Sequence, residues 1–335
     1  MRPPRFWDEP RPSAVARLLR PAAFVWGGIA AGRMDRGGDR ADVPVICIGN
    51  FTAGGAGKTP TVLAVARILR EQGERPAFLS RGYGGRLAGP VRVDPARHGP
   101  QDVGDEPLLL ARAAPTVVAR DRPAGARLCR DEAGASVVVM DDGLQNPSLK
   151  KDVSLAVVDA EIGVGNGLCL PAGPLRAPLK VQWRHVDAVV LVGDGAAGEA
   201  LAREAAERER PVLRARLEPD HAVAARLARA RVLAFAGIGR PQKFFATLEA
   251  CGAAVARTRE FPDHHPYSAE EVGALVDEAR REALLPVTTE KDFVRIAALG
   301  QGLVETVTAL PVILAFADEE PLRAMLGRLG QARSA

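Results

Sequence analysis

The run Val45-Ile-Cys-Ile48 is apolar, and it passes without a break into Gly49-Asn-Phe-Thr-Ala-Gly-Gly-Ala-Gly-Lys-Thr-Pro60. An apolar-periodic stretch, 61–71, follows. Strand, glycine-rich turn and helix in that order constrain the fold more than any other part of the chain. Glycines let backbone N–H groups converge on phosphate oxygens without side-chain obstruction. The helix amino terminus adds the positive end of its dipole. Lys58 would then reach the β- and γ-phosphates of ATP, and the Thr59 hydroxyl would hold Mg²⁺. Pro60 falls in the first helical turn, where a missing N–H costs little. The strict spacing G-x-x-x-x-G-K-[ST] calls for Gly at position 52, where this chain has Thr52, and Gly54 and Gly55 supply the flexibility instead. The expected nucleotide-binding residues are Asn50, Thr52, Ala53, Gly54, Gly55, Ala56, Gly57, Lys58, Thr59 and Pro60.

The remaining apolar runs fit the same architecture. Segments 77–79, 116–118, 136–140, 155–158 and 187–192 are short Val/Ile/Leu-rich stretches bounded by turn residues. That pattern predicts strands buried on both faces of a parallel sheet. Helices are expected at 106–112, 122–131 and 195–208. The stretch 211–220 alternates Leu and Arg between prolines and reads as an extended linker. A second, smaller βα pattern follows, with strands at 232–236 and 286–289 and helices at 243–251 and 269–282; then come a strand at 310–316 and a helix at 321–329. The fold class expected is α/β, a P-loop NTPase-like, mostly parallel sheet flanked by helices, with a second, smaller α/β domain. The expected divisions are an amino-terminal region 1–36, a catalytic and substrate-binding domain 37–219, a smaller domain 220–308, and a return of the chain to the first domain over 309–335.

Charge limits the partners. The chain of 335 residues has a formal net charge of +4, and residues 1–40 hold eight Arg against four acids. The remainder is close to neutral, and aromatics are only 4%. No nucleic-acid partner is expected, because such binding needs a concentrated basic face or a stacking platform. The basic amino terminus surrounds Pro21–Gly32, which has 12 uncharged residues, whereas a spanning helix needs about 20. Two readings stand for this segment. Leu18, Leu19, Phe24, Val25, Trp26 and Ile29 enter a lipid boundary with Arg17, Arg20, Arg33 and Arg36 at the headgroups, or the helix packs on the protein's own core.

Three further clusters carry chemistry. Ser136-Val-Val-Val-Met-Asp141-Asp142-Gly143 sets two carboxylates at the end of a buried strand, where an acid beside a phosphate loop meets Mg²⁺. Gly104-Asp105-Glu106-Pro107 reads first as a helix cap, with a general base as the functional alternative. Phe261-Pro-Asp-His264-His265-Pro266 offers imidazoles that can accept a proton near neutral pH. Thr288-Thr-Glu-Lys-Asp292 ends a strand, but its spacing does not support a guanine-reading loop.

Taken in order, these motifs form a pattern. Gly49-Asn50 through Gly57-Lys-Thr-Pro60, Ser80-Arg-Gly-Tyr83-Gly-Gly85, Gly104-Asp-Glu-Pro107, Asp141-Asp-Gly143, Leu170-Pro-Ala-Gly-Pro-Leu-Arg176, Phe261-Pro-Asp-His264 and Thr289-Glu-Lys-Asp292 together resemble the tetraacyldisaccharide 4′-kinase family of lipid A biosynthesis. The resemblance implies ATP and Mg²⁺, with transfer of the γ-phosphoryl group to the 4′-hydroxyl of a tetraacyldisaccharide 1-phosphate. It implies a lipid-linked substrate, a peripheral position on the cytoplasmic face of the inner membrane, and no obligate protein partner. It implies Asp105 and His264 acting together in deprotonation, and Tyr83 at the acceptor. Lys58 is expected as the third catalytic residue, Thr59, Asp141 and Asp142 at the metal, and Arg81 and Glu106 beside Tyr83 at the acceptor. Ala177 departs from the family, which usually carries an acid after the Leu-Arg of that loop. A P-loop switch or metallochaperone ATPase acting through a protein partner fits the phosphate loop and the Asp pair equally well, and a kinase for a soluble small molecule is a third reading.

Overall fold

A computed structural model describes residues 4–331. Among these residues thirteen strands form two sheets. They are β1 (Val45–Gly49), β2 (Pro76–Ser80), β3 (Val91–Arg92), β4 (Thr116–Val118), β5 (Val137–Asp141), β6 (Val153–Asp159), β7 (Ala188–Val192), β8 (Val212–Pro219), β9 (Arg231–Ala236), β10 (Ala254–Glu260), β11 (Leu285–Thr289), β12 (Thr308–Leu310) and β13 (Val312–Phe316). The larger sheet has the order β13-β8-β7-β6-β1-β5-β2-β4-β3, and the smaller β10-β9-β11-β12. Neighbours are parallel except at the edges, where β3 and β13 run antiparallel to β4 and β8. The α/β class and the mostly parallel sheet agree with the expectation from the apolar runs.

β1, β2, β5 and β7 are buried at every position, which is why they read as unbroken apolar runs. Two apolar layers cover the larger sheet. One gathers Val62, Val65, Ile68 and Leu69 of the helix Lys58–Glu71 against Ile46, Ile48 and Val139; the other gathers Cys47, Met140, Leu144 and Trp183. The smaller sheet has its own two layers, around Val232, Phe244 and Leu248 on one face and Phe235, Val272 and Val276 on the other.

Two expectations are corrected. Residues 211–220 are not a linker: β8 pairs with both β7 and β13, and its Leu213, Ala215 side is buried while Arg214 and Arg216 face out. The Leu/Arg alternation is the period-two pattern of a half-covered strand. The strand expected at 310–316 is two strands, divided at Pro311, whose missing N–H ends the ladder of the smaller sheet. Asp220 N–H donates to the Pro311 carbonyl at 2.9 Å, so the two chain crossings between the sheets lie side by side.

The amino-terminal helix is longer than its uncharged run suggested. It spans Ala14–Met34, 21 residues, and is long and apolar enough by length and composition to cross a membrane. Ser13 caps it by accepting from Ala16 N–H. Residues 1–3 and 332–335 of the expected terminal regions lie outside the described residues.

Candidate active site

The phosphate loop sits where β1 and β5 end side by side. Ile48 pairs with Asp141 in the parallel ladder, and Asp142 N–H donates to the Ile48 carbonyl at 2.9 Å. Gly57, at φ +91, turns the chain into the helix Lys58–Glu71, a conformation that a side chain would strain. Asn50 is fully buried and its amide donates to the Gly54 carbonyl at 3.1 Å; Lys58 Nζ reaches the same carbonyl at 3.4 Å. Among the described residues none supplies an acceptor to the amides of Gly54 through Thr59. They form a row of free donors at a helix amino terminus, the setting that suits phosphate. Ala53 is the exception, since its N–H is taken by the Pro174 carbonyl at 2.8 Å. Burial lowers the Lys58 pKa, with Asp142 opposing at 3.9 Å. Thr59 is buried at the base of the loop, and Pro60 stands in the first turn.

The two aspartates differ in their surroundings. Asp142, at φ +53, is chelated by Arg176, whose Nη1 and Nη2 lie 2.7 and 3.0 Å from its two oxygens. Arg176 also donates through Nε to the Thr52 carbonyl at 3.0 Å, so it braces the phosphate loop as well. Asp141 Oδ1 is buried with no partner among the described residues, as is Asn50 Oδ1. Burial pushes the Asp141 pKa up to about 7, with Glu106 and Asp142 adding to it. Such an orphaned carboxylate oxygen calls for a cation. No group of three His, Cys, Asp or Glu among the described residues is placed to hold a metal ion. The hard oxygen donors present, the Asp141 carboxylate and the Thr59 hydroxyl, fit Mg²⁺, which binds through few protein oxygens and completes its shell with phosphate and water.

Facing these ends is a junction between the two sheets. Gly104, at φ +89, leads into the helix Asp105–Ala111, and a Cβ there would lie 2.4 Å from the Tyr83 carbonyl oxygen. Glycine at 104 thus lets the Tyr83 turn press against the start of that helix. Asp105 is buried; its Oδ2 lies 3.1 Å from His264 Nδ1 and 3.0 and 2.9 Å from Arg295 Nε and Nη2. Burial alone would raise the Asp105 pKa, but the His264 hydrogen bond and the Arg295 charge overcome it and hold the carboxyl well below its usual range. The same hydrogen bond raises the His264 pKa against desolvation. His264 Nε2 faces away, with Asp263 Oδ1 at 3.9 Å. The Tyr83 ring lies 5.7 Å from the imidazole, centroid to centroid, and is exposed. Glu106 is paired with Lys291 at 2.6 Å, and that cation, against burial, lowers its pKa. Arg81 is exposed on the same turn as Tyr83. His265 plays another part, bonded to Glu271 at 3.1 Å and stacked on Phe261.

The family model described as Tetraacyldisaccharide-1-P 4′-kinase matches residues 15–331. The chain belongs to this family. Relatives named tetraacyldisaccharide 4′-kinase include those of Methylobacterium nodulans, 60% identical over 99% of this chain and 97% of that protein, and Rhodopseudomonas palustris, 55% identical over 100% and 98%. A crystal structure of LpxK from Aquifex aeolicus in complex with ATP superposes with a TM-score of 0.73 at 26% identity, covering 94% of this chain and 99% of that one.

Within this 4′-kinase framework, several residues were not marked by the sequence. Arg176 lay in a quoted motif without a task, and Arg295 lies outside every motif. A signal existed for Arg295: it follows Lys291 by four positions, the spacing of one helix face. Arg122 is 1% exposed, and its Nε and Nη1 have no partner among the described residues. It sits within reach of the charges of Asp141 and Asp142. Ala177 is buried, and its carbonyl accepts from the Gln182 amide at 2.7 Å, so the loop keeps its shape without the acid. Arg240 and Lys243, on the smaller sheet's side, bind Asp159 at the end of β6 at 3.2 and 2.8 Å.

Proposed function

We propose that this chain transfers the γ-phosphoryl group of ATP to the 4′-hydroxyl of a tetraacyldisaccharide 1-phosphate, a step of lipid A biosynthesis. The observation that carries this reading is the Asp105–His264 pair at 3.1 Å beside the phosphate loop, because a switch ATPase has no use for a base directed at an acceptor. A sugar hydroxyl is a poor nucleophile. His264 Nδ1 is tied to a carboxylate, so its Nε2 is the atom that takes the hydroxyl proton. The oxygen–phosphorus bond then forms as the bond to the β-phosphate oxygen breaks, and ADP leaves. Asp105 stays ionised throughout and orients the ring. Lys58 and the loop amides balance charge on the phosphates. Thr59 and Asp141 would hold Mg²⁺, which when bound neutralises charge on the transferred group. Asp142 is already engaged by Arg176 and takes a supporting place. Tyr83, Arg81 and Glu106 lie around the acceptor's side of the pair.

We place the chain peripherally on the cytoplasmic face of the inner membrane, and the amino-terminal helix supports the peripheral part of that reading. Its small residues Ala16, Ala23 and Gly27 face the protein, while Leu18 is 81%, Phe24 84% and Ile29 68% exposed. A Cβ at Gly27 would lie 3.2 Å from Cys169 Sγ, and Trp26 Nε1 donates to the Arg176 carbonyl at 3.2 Å. A helix held along one side by its own protein, with large apolar groups on the other, suits the lipid boundary better than a crossing. Arg17, Arg20, Arg33 and Arg36 are available to anionic headgroups. We further read the chain as two domains, one around each sheet, joined at Asp220 and Pro311.

The test is incubation of the purified protein with ATP, Mg²⁺ and a disaccharide lipid acceptor in mixed micelles, with mass measurement of the product. One added phosphoryl group on the lipid is expected. ATP hydrolysis with an unchanged lipid would overturn the reading and favour the switch.

A further inference from the structure

Thr289-Glu-Lys-Asp292 has no task in the chemistry above, yet it begins the helix Glu290–Ala297 that meets Asp105. Thr289 caps that helix by accepting from Asp292 N–H at 3.2 Å. Lys291 and Arg295 stand on one helical face and take the adjacent carboxylates Glu106 and Asp105 across the junction between the sheets. Arg295 is itself fixed from behind. Its Nη1 donates to Asp292 Oδ1 at 2.8 Å and to the Gly237 carbonyl at 3.1 Å. Asp292 is fully buried and accepts from Gly237 N–H at 3.0 Å and the Tyr267 hydroxyl at 3.0 Å. The Gly237 carbonyl also accepts His264 N–H at 3.1 Å. One peptide group therefore ties the His264 backbone to the Arg295 guanidinium.

We propose that Arg295 is a positioning residue for phosphoryl transfer: its guanidinium locks the Asp105 carboxylate against His264. The proposal rests on the kinase reading. Asp105 Oδ2 receives two N–H groups from one planar fork, so rotation of the carboxylate away from His264 breaks both bonds at once. An ammonium supplies the charge without the fork.

Arg295→Lys tests this by keeping the charge and removing the geometry. The expected result is a kcat about tenfold to a hundredfold lower, the size of a small misplacement of a reacting group. KM for ATP should stay within about twofold, since the phosphate loop is untouched. The acid limb of the kcat–pH profile should move down toward an ordinary imidazole. On an Asp105→Ala background the same substitution should cost less than about twofold more, because both act through one contact. A variant with wild-type kcat and an unmoved limb, or a full additional loss on that background, overturns the proposal. Should Arg295→Lys fail to fold, Tyr267→Phe decides: removing the hydroxyl behind Asp292 should lower kcat a few fold with the same non-additivity, and an unchanged kcat counts against it. A wild-type protein that phosphorylates no disaccharide lipid refutes the kinase reading, whereas an active wild type indifferent to these changes refutes only the role of Arg295.

Discussion

In the proposed mechanism, Asp105 and His264 divide the labour of proton removal. A carboxylate held below its usual range cannot store the hydroxyl proton near neutral pH, and an imidazole held above its range can. The neutral imidazole is the active form, so rate should rise with pH through the His264 pKa. Since that pKa is raised, the acid limb should lie above the ordinary value of about 6.5. Asp105→Ala should shift the limb down and reduce kcat by about 10²–10⁴; His264→Ala should reduce kcat by as much and leave no limb in that range. Nucleotide affinity, followed by titration with a fluorescent ATP analogue, should survive both changes. A weakened affinity of the same size would mean that the pair shapes the nucleotide site instead. Lys58→Ala should behave oppositely, losing nucleotide binding and activity together, because it touches the loop and not the base.

Two elements carry predictions of their own. The turn at Gly104 combines a left-handed backbone with a close approach to the Tyr83 carbonyl. Gly104→Ala must displace one of them, at a cost of about 1–3 kcal/mol for the backbone alone. A lower melting temperature and a lower kcat with unchanged ATP affinity are expected. The amino-terminal helix makes the second case. A large apolar side chain contributes roughly 1.5–3 kcal/mol when fully buried. Changing Leu18, Phe24 and Ile29 together to Gln should therefore weaken partition onto anionic vesicles by more than about tenfold, read by co-sedimentation, while the melting temperature holds. Unchanged vesicle binding would remove this helix from the membrane.

At the scale of the whole molecule, two sets of ion pairs among the described residues link the parts of the chain around the two sheets, and their surroundings rank them. Arg240 and Lys243 meet Asp159 and Glu161 in a partly exposed cluster, where each pair is worth about 0–1 kcal/mol and is screened by salt. Arg295 meets Asp105 with both side chains buried. Lys243→Met should thus change kcat by less than about threefold at moderate salt, far less than a change at Arg295. The same division explains what the sequence made legible. The phosphate loop, the Asp pair and the buried strands are local: an apolar run, a turn and a helix start stand within about a dozen residues. β8 was misjudged because its Arg214 and Arg216 face outward and prolines flank it. Arg295 finds Asp105 across 190 positions, a meeting that only the packing of one sheet on the other creates. His264 and His265 are neighbours in the chain, yet only the left-handed turn at His264, φ +58, separates a ring directed at Asp105 from one bonded to Glu271.

The indole of Trp26 and the carboxylate of Asp142 are separated by a single intervening residue. Trp26 donates to the Arg176 carbonyl, and the Arg176 side chain grips Asp142 and the Thr52 carbonyl. On the proposed peripheral reading, the helix directed at the bilayer and the loop that would cradle nucleotide are joined through Arg176, so the depth at which the helix rides would set the height of the reactive centre above the sugar headgroups.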